Sequence, residues 1–133
     1  KLDHAAKSFK RAVEILPSYS EAHNKLGVTF IDLKKYEDAI EHLEWAVAYK
    51  YDFAEAYNNL GVANRELGQI NNAAKNFKKA IEINPSYTLA HLNLGIALVD
   101  LGQKDEAVKC FEQVISLEPD NSLAYEKLKE LNS

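Results

Sequence analysis

The chain has 133 residues, of which 47% are hydrophobic and 27% charged, with a formal net charge of −4. That is about one domain's length; the acidic balance offers no basic field for nucleic acid, and no apolar run approaches the roughly 20 residues of a membrane span. The single Cys110 excludes an intramolecular disulfide, and with no signal-peptide pattern at the start the expected compartment is reducing and cytoplasmic.

In chain order the hydrophobic pattern predicts helices near 2–16, 20–33, 36–49, 54–67, 70–83, 88–101, 104–117 and 122–131. The second helix opens with "AHNKLG", and "AYNNLG", "AHLNLG" and "AYEKLK" open later ones. Their first residues, Ala22, Ala56, Ala90 and Ala124, are 34 residues apart each time. Other residues keep the same period: Pro17, Pro85 and Pro119, with Tyr51 where a proline is missing; Gly27, Gly61 and Gly95, with Lys129 breaking the phase; and Gly68 and Gly102, with Lys34 in the first unit. Ala5, Ala39, Ala73 and Ala107 align, as do Phe9, Leu43, Phe77 and Phe111. The "LGQ" turns at 67–69 and 101–103 place glycine just past a helix end, where a left-handed residue is wanted. "NPSY" (84–87) and "PDNS" (119–122) supply turn residues and then a cap for the next helix. Each glycine of the L-G pair lets the two helices of a unit approach closely.

A 34-residue period with L-G, a later A-x3-F and a final proline resembles the tetratricopeptide repeat over the whole chain. The resemblance implies an all-α, right-handed α-solenoid of helix-turn-helix repeats. The expected division is one array over 1–133, with a half repeat at 1–19 holding a second helix only, repeats at 20–53, 54–87 and 88–121, and a C-terminal capping helix at 122–133. The half repeat looks like the cut end of a longer array, with Leu2, Ala6, Phe9 and Val13 partly uncovered, and weak self-association through such exposed ends is a further expectation.

An α-helix turns about 100° per residue. On that wheel, positions 2, 5, 6, 9, 12 and 13 of each repeat share one side of the first helix, which faces the concave groove of a solenoid. The groove set reads Glu21, Asn24, Lys25, Val28, Ile31 and Asp32, then Glu55, Asn58, Asn59, Val62, Arg65 and Glu66, then Leu89, Leu92, Asn93, Ile96, Val99 and Asp100. Asn58 and Asn59 are expected on the groove wall rather than in the core. An asparagine can pair with both the N–H and the C=O of an extended peptide, and Asn59 and Asn93 share a phase like rungs. The resemblance implies the same use, since such a ladder holds peptide backbones in the repeats of O-linked N-acetylglucosamine transferases; surface asparagines, or asparagines bonded to a neighbouring helix, are the alternative. Asp32, Glu66 and Asp100 form acidic rungs joined by Glu21 and Glu55, against only Lys25 and Arg65, so the groove suits a basic or neutral segment. Arg65 is expected to offset a neighbouring acid. Leu89, Leu92, Ile96 and Val99 make an apolar stripe on a face that should be wet. Either the last helix folds over it through Leu123 and Leu131, or it receives a partner's side chains.

The carboxylate clamp of chaperone-tail binders in this family falls on Asn24, Val28, Asn59, Leu89 and Asn93, where only Asn59 fits, so recognition of a chaperone C-terminal carboxylate is not expected. His23 and His91 lie two repeats apart, and His4 and His42 have no partner in a metal-binding pattern, so no metal or cofactor is expected. Cys110 has no local base or anion hole and is not expected to be catalytic. Trp45 shares its phase with Arg11, Lys79 and Gln113 and belongs on the outer surface. With Tyr49, Tyr51 and Phe53 it enriches the first unit in aromatics, and Trp45 is a candidate convex contact, while Tyr51 can instead plug the seam between repeats.

The expected function is therefore a non-catalytic protein–protein interaction scaffold that binds an extended or helical polypeptide through Asn24, Lys25, Asn58, Asn59, Arg65, Leu89, Leu92, Asn93 and Ile96. A substrate-presenting or regulatory segment of a larger enzyme such as a glycosyltransferase, and a self-associating scaffold, are the alternatives.

Overall fold

The computed structural model describes residues 4–8 and 19–133. Residues 4–8 are helical. Seven helices follow: α1 (Ser20–Asp32), α2 (Tyr36–Tyr49), α3 (Ala54–Glu66), α4 (Ile70–Ile83), α5 (Thr88–Asp100), α6 (Lys104–Leu117) and α7 (Ser122–Leu131). They form an all-α, right-handed solenoid of helix-turn-helix repeats, without strands among the described residues. Also among the described residues, no helix is long and apolar enough to cross a membrane. The helix expected over 2–16 lies outside the described residues except for 4–8, as do Leu2, Phe9 and Val13. Ala6 is buried and joins the core around Leu26 and Leu43.

The helix ends follow from local chemistry. The expected bounds hold for α2, α4, α6 and α7, while α1, α3 and α5 stop one residue earlier because Leu33, Leu67 and Leu101 serve as their C-caps. The next residue then swings into the left-handed region: Gly68 has φ 78°, Gly102 φ 75°, and Lys34 adopts φ 61° without the freedom of glycine. One residue further, an N–H returns to the helix: Gln69 N donates to Asn64 O at 2.9 Å, Gln103 N to Leu98 O at 2.8 Å, and Lys35 N to Phe30 O at 2.8 Å. These bonds satisfy carbonyls that the helix end would leave open. At the start of α7, Asn121 caps as expected, its side chain accepting from Ala124 N at 3.0 Å. The "NPSY" turn differs. Tyr87 precedes α5 and provides no side-chain cap, while Asn84 Oδ1 accepts from Ser86 N at 3.3 Å and so stabilises the turn itself.

Within each pair the helices touch at the L-G glycine. A Cβ on Gly61 would lie 2.5 Å from the Phe77 ring, one on Gly95 2.6 Å from the Phe111 ring, and one on Gly27 2.5 Å from Leu43. The glycine therefore makes room for the largest core side chain of the second helix, and Leu43, Phe77 and Phe111 are all fully buried. Two hydrophobic clusters result. One gathers α1, α2 and the Leu60 and Ala63 side of α3; the other runs from Ala73 and Phe77 through α5 and α6 to Ala124. The second repeat holds the boundary between them. There the phase occupied by Phe30 in the first repeat and Leu98 in the third carries the buried Asn64. Asn64 accepts from Asn76 Nδ2 at 2.7 Å and donates to Gln69 Oε1 at 2.9 Å, so this polar group in a core position keeps its hydrogen bonds.

Gly61→Ala is expected to lower stability by about 1–3 kcal/mol, because the added methyl must displace a ring that has no room to move. Urea unfolding checks it: the midpoint should fall with an unchanged slope.

Candidate functional site

α1, α3 and α5 stand side by side and carry the inner face of the solenoid, with α2, α4 and α6 behind them. Most of the sequence-predicted groove residues belong to this face, but they divide by depth. Lys25 is exposed and Leu89 is 50% exposed, while Asn59, Arg65, Asn93 and Ile96 are half-buried. Asn24, Asn58 and Leu92 are buried, at 4%, 1% and 8% exposure. The expectation that Asn58 stands on the groove wall is thereby corrected. Its position on the wheel points at the next repeat, and the stacking of first helices closes over it.

The asparagines pair diagonally across that seam. Asn59 Nδ2 donates to Asn24 Oδ1 at 3.1 Å, and Asn93 Nδ2 donates to Asn58 Oδ1 at 3.1 Å. Asn59 and Asn93 each spend one N–H on the repeat before them; an amide has a second N–H and a carbonyl besides. Asn58 also hydrogen-bonds the Tyr87 hydroxyl, whose pKa is raised by burial and by the charge of Glu55 against the opposing effect of that bond. The seam after α5 is apolar instead: Leu92 packs into the cluster that includes Ala124 of α7.

Charge is similarly paired off in part. Arg65 Nε lies 3.0 Å from Asp100 Oδ2, so Arg65 offsets the acid rung of the following repeat as the sequence suggested. Tyr36 donates to Glu66 Oε1 at 3.3 Å. Two hollows open on the inner face. One of about 550 Å³ is lined by Glu21, Asn24, Lys25, Val28, Thr29, Phe53 and Glu55. The other, of about 260 Å³, is lined by Arg65, Ile96, Val99, Asp100, Lys127, Glu130 and Leu131. Phe53, one of the aromatics that enrich the first unit, lines the larger hollow, with Lys50 Nζ 4.8 Å from its ring centroid. α7 covers part of the apolar stripe. Leu128 and Leu131 pack against the cluster that holds Leu92, whereas Leu123 is 39% exposed and does not close it. Leu89 and Val99 stay exposed.

On the outer surface Trp45 is 46% exposed and stacks on Tyr49, with centroids 5.6 Å apart and planes at 11°. Both rings also stack on the buried His23. His23 Nδ1 lies 3.3 Å from His42 Nδ1, a contact that metal-spacing arguments could not find because the two histidines meet across a helix pair rather than along one helix. The signal available was their place in the repeat: His23 occupies the phase that holds Tyr57 in the next unit, a packing position. Tyr51 is 81% exposed and does not plug the seam, a correction that follows from its place in the open turn after α2. Among the described residues no three His, Cys, Asp or Glu side chains gather as metal ligands. Cys110 is half-buried, and its thiol is pushed up to about 11 by burial and by Glu106, against a smaller opposing pull from Lys78.

Asn59→Ala removes a donor from the buried Asn24 carbonyl, so it is expected to cost about 1–3 kcal/mol of stability. Asn24→Leu combined with Asn59→Ala should cost less than the two single changes summed, because no unpaired polar atom remains. A double-mutant cycle by chemical denaturation reads the coupling. For Cys110, a rise from the ordinary 9.0 to about 11 cuts the thiolate fraction at pH 8 by ~100-fold. Iodoacetamide should therefore label the native chain far more slowly than the unfolded one at that pH, and the difference should shrink as pH approaches 11.

Comparison with known proteins gives a consistent relationship. Tetratricopeptide-repeat family models match residues 24–88 and 65–131. A search of curated proteins gave no match. A crystal structure of MamA aligns with a TM-score of 0.94 at 32% identity, covering 98% of this chain and 76% of that one. The MamA 41-end structure from Desulfovibrio magneticus RS-1 aligns at 0.83 and 26% identity, covering 91% of this chain and 68% of its own. The first TPR of Spaghetti (RPAP3), solved with the HSP90 peptide SRMEEVD, aligns at 0.83 and 26% identity, covering 85% of this chain and 90% of that one. The glycine-mediated helix pairs, the left-handed turns that recur with them and the matching family models lead to one conclusion: the chain belongs to the tetratricopeptide-repeat family.

Proposed function

We propose that this chain is a non-catalytic interaction scaffold that takes an extended or helical polypeptide segment in its concave groove. The observation that carries the reading is the exposure of Leu89 (50%), Val99 (39%) and Leu123 (39%) in an array whose first helices also carry the half-buried amides of Asn59 and Asn93. Apolar side chains left in water, together with hydrogen-bonding amides, suit a ligand that brings both side chains and backbone. The RPAP3 relative, solved with a peptide, supports the same use of the fold. Lys25, Asn59, Arg65, Leu89, Asn93 and Ile96 are the residues through which the groove would act. Asn24, Asn58 and Leu92 would act indirectly, by holding consecutive first helices in register. The stacked Trp45 and Tyr49 favour a second contact on the outer surface, since exposed aromatics of this kind anchor interfaces.

Leu89→Asp tests the groove. The side chain is half exposed, so folding should survive, as circular dichroism would show. Affinity for a partner recovered by pull-down should fall by at least about 10-fold, or ~1.4 kcal/mol. An unchanged affinity removes the concave reading. Trp45→Ala, measured alongside, separates an outer contact from an inner one.

A further inference from the structure

The inner face is not uniform along its length. Toward α1 it is acidic and polar. Glu21 and Glu55 share the larger hollow with Lys25, and among the described residues neither glutamate forms an ion pair. Asp32 follows on the same face and is exposed. Arg65, further along the groove, is held by Asp100 at 3.0 Å. At the rim, Lys50 lies over Phe53, which limits the negative excess to about the charge that a single basic side chain would balance. Toward α5 and α7 the face turns apolar: Leu89, Val99 and Leu123 are exposed, and Ile96 lines the smaller hollow with Val99 and Leu131. The charges near that hollow are paired, Arg65 with Asp100 and Lys127 with Glu130 at 3.7 Å.

Taking the concave-groove reading as its premise, we infer that the occupant is a short peptide segment carrying one Arg or Lys and, about five or six residues away, a pair of large aliphatic side chains. The spacing follows from the helix packing. Two steps between neighbouring first helices, from α1 to α5, span about 16–20 Å at 8–10 Å each, and an extended chain covers about 3.3 Å per residue. The basic side chain enters the hollow lined by Glu21 and Glu55, on its α1 side. The aliphatic pair covers Leu89, Ile96 and Val99. An acidic peptide such as SRMEEVD, which accompanies the RPAP3 relative, is the opposite of this occupant. It would bring carboxylates toward unpaired glutamates and has no cation clamp to meet it.

The test uses the intact chain and labelled, end-blocked decapeptides read by fluorescence anisotropy. One probe places Arg five residues before Leu-Leu and a second reverses that order. Two more carry Glu in place of Arg, and the last probe is SRMEEVD. The Arg probe in one of the two orders should bind at least about 10-fold tighter than its Glu counterpart. Glu21→Gln with Glu55→Gln should abolish most of that preference, as should salt at about 0.5 M, where screening is severe. Leu89→Asp should weaken the probe whatever its charge. Equal or tighter binding of the Glu probes or SRMEEVD, still sensitive to Leu89→Asp, overturns the assigned chemistry and leaves the groove reading standing. Binding that ignores both Leu89→Asp and the paired Gln changes overturns both. If no probe binds up to about 1 mM, the inference fails, and the groove reading is then decided by its own partner measurement.

Discussion

Each repeat of this molecule depends on one close contact, between the glycine midway along the first helix and the large side chain on the second. At Gly61 and Gly95 the space a Cβ would need is taken by the rings of Phe77 and Phe111, and at Gly27 by Leu43. The helices of a pair thereby approach to the distance at which one buried side chain fills the gap. Interiors pack to crystal-like density, so that contact fixes the geometry of the pair. Because the same contact recurs in consecutive pairs, the first helices line up along one side and a groove appears without any residue being dedicated to making it.

What joins one pair to the next is less uniform. Between the first helices of the described repeats the seam is an asparagine pair, Asn24 with Asn59 and then Asn58 with Asn93. Leu92 ends that sequence with an apolar contact toward α7. A buried amide pair adds little net energy compared with an apolar one, but it penalises misalignment, since a shifted helix would strand a buried carbonyl. The asparagines therefore act first as a register device. Their remaining hydrogen-bonding capacity reaches the groove only at Asn59 and Asn93, which are half-buried rather than enclosed. The amide chain through Asn76, Asn64 and Gln69 treats the second repeat the same way, interrupting the apolar core with satisfied polar contacts.

The groove's character then follows from what the seams leave uncovered. Asp100 and Glu66 are engaged by Arg65 and Tyr36, while Glu21 and Glu55 face a hollow that contains Lys25 as its cation. At the other end α7 conceals Leu92 and leaves Leu89 and Val99 in water. Polar and apolar chemistry are thus separated along the solenoid axis.

The 34-residue period, the positions of the described helices, the left-handed turns at Gly68 and Gly102 and the close approach at the L-G glycines were all legible in the sequence. Each depends on contacts within a helix, a turn or one pair, so the residue types carry the information locally. The candidate site was legible only in outline. A helical wheel gives the direction of a side chain, but not whether a helix 34 residues further along will cover it. Asn58 and Asn59 are adjacent in sequence, yet one is enclosed by the next repeat and the other is half open. Phe53 turns into the groove while Tyr51, two residues earlier, is left in solvent. His23 and His42 meet although no spacing rule links them. Sequence alone determined the repeat and its register, because these are written in short-range patterns. The tertiary structure alone decided which groups remain available to a partner, because exposure is set by the stacking of whole helices on one another.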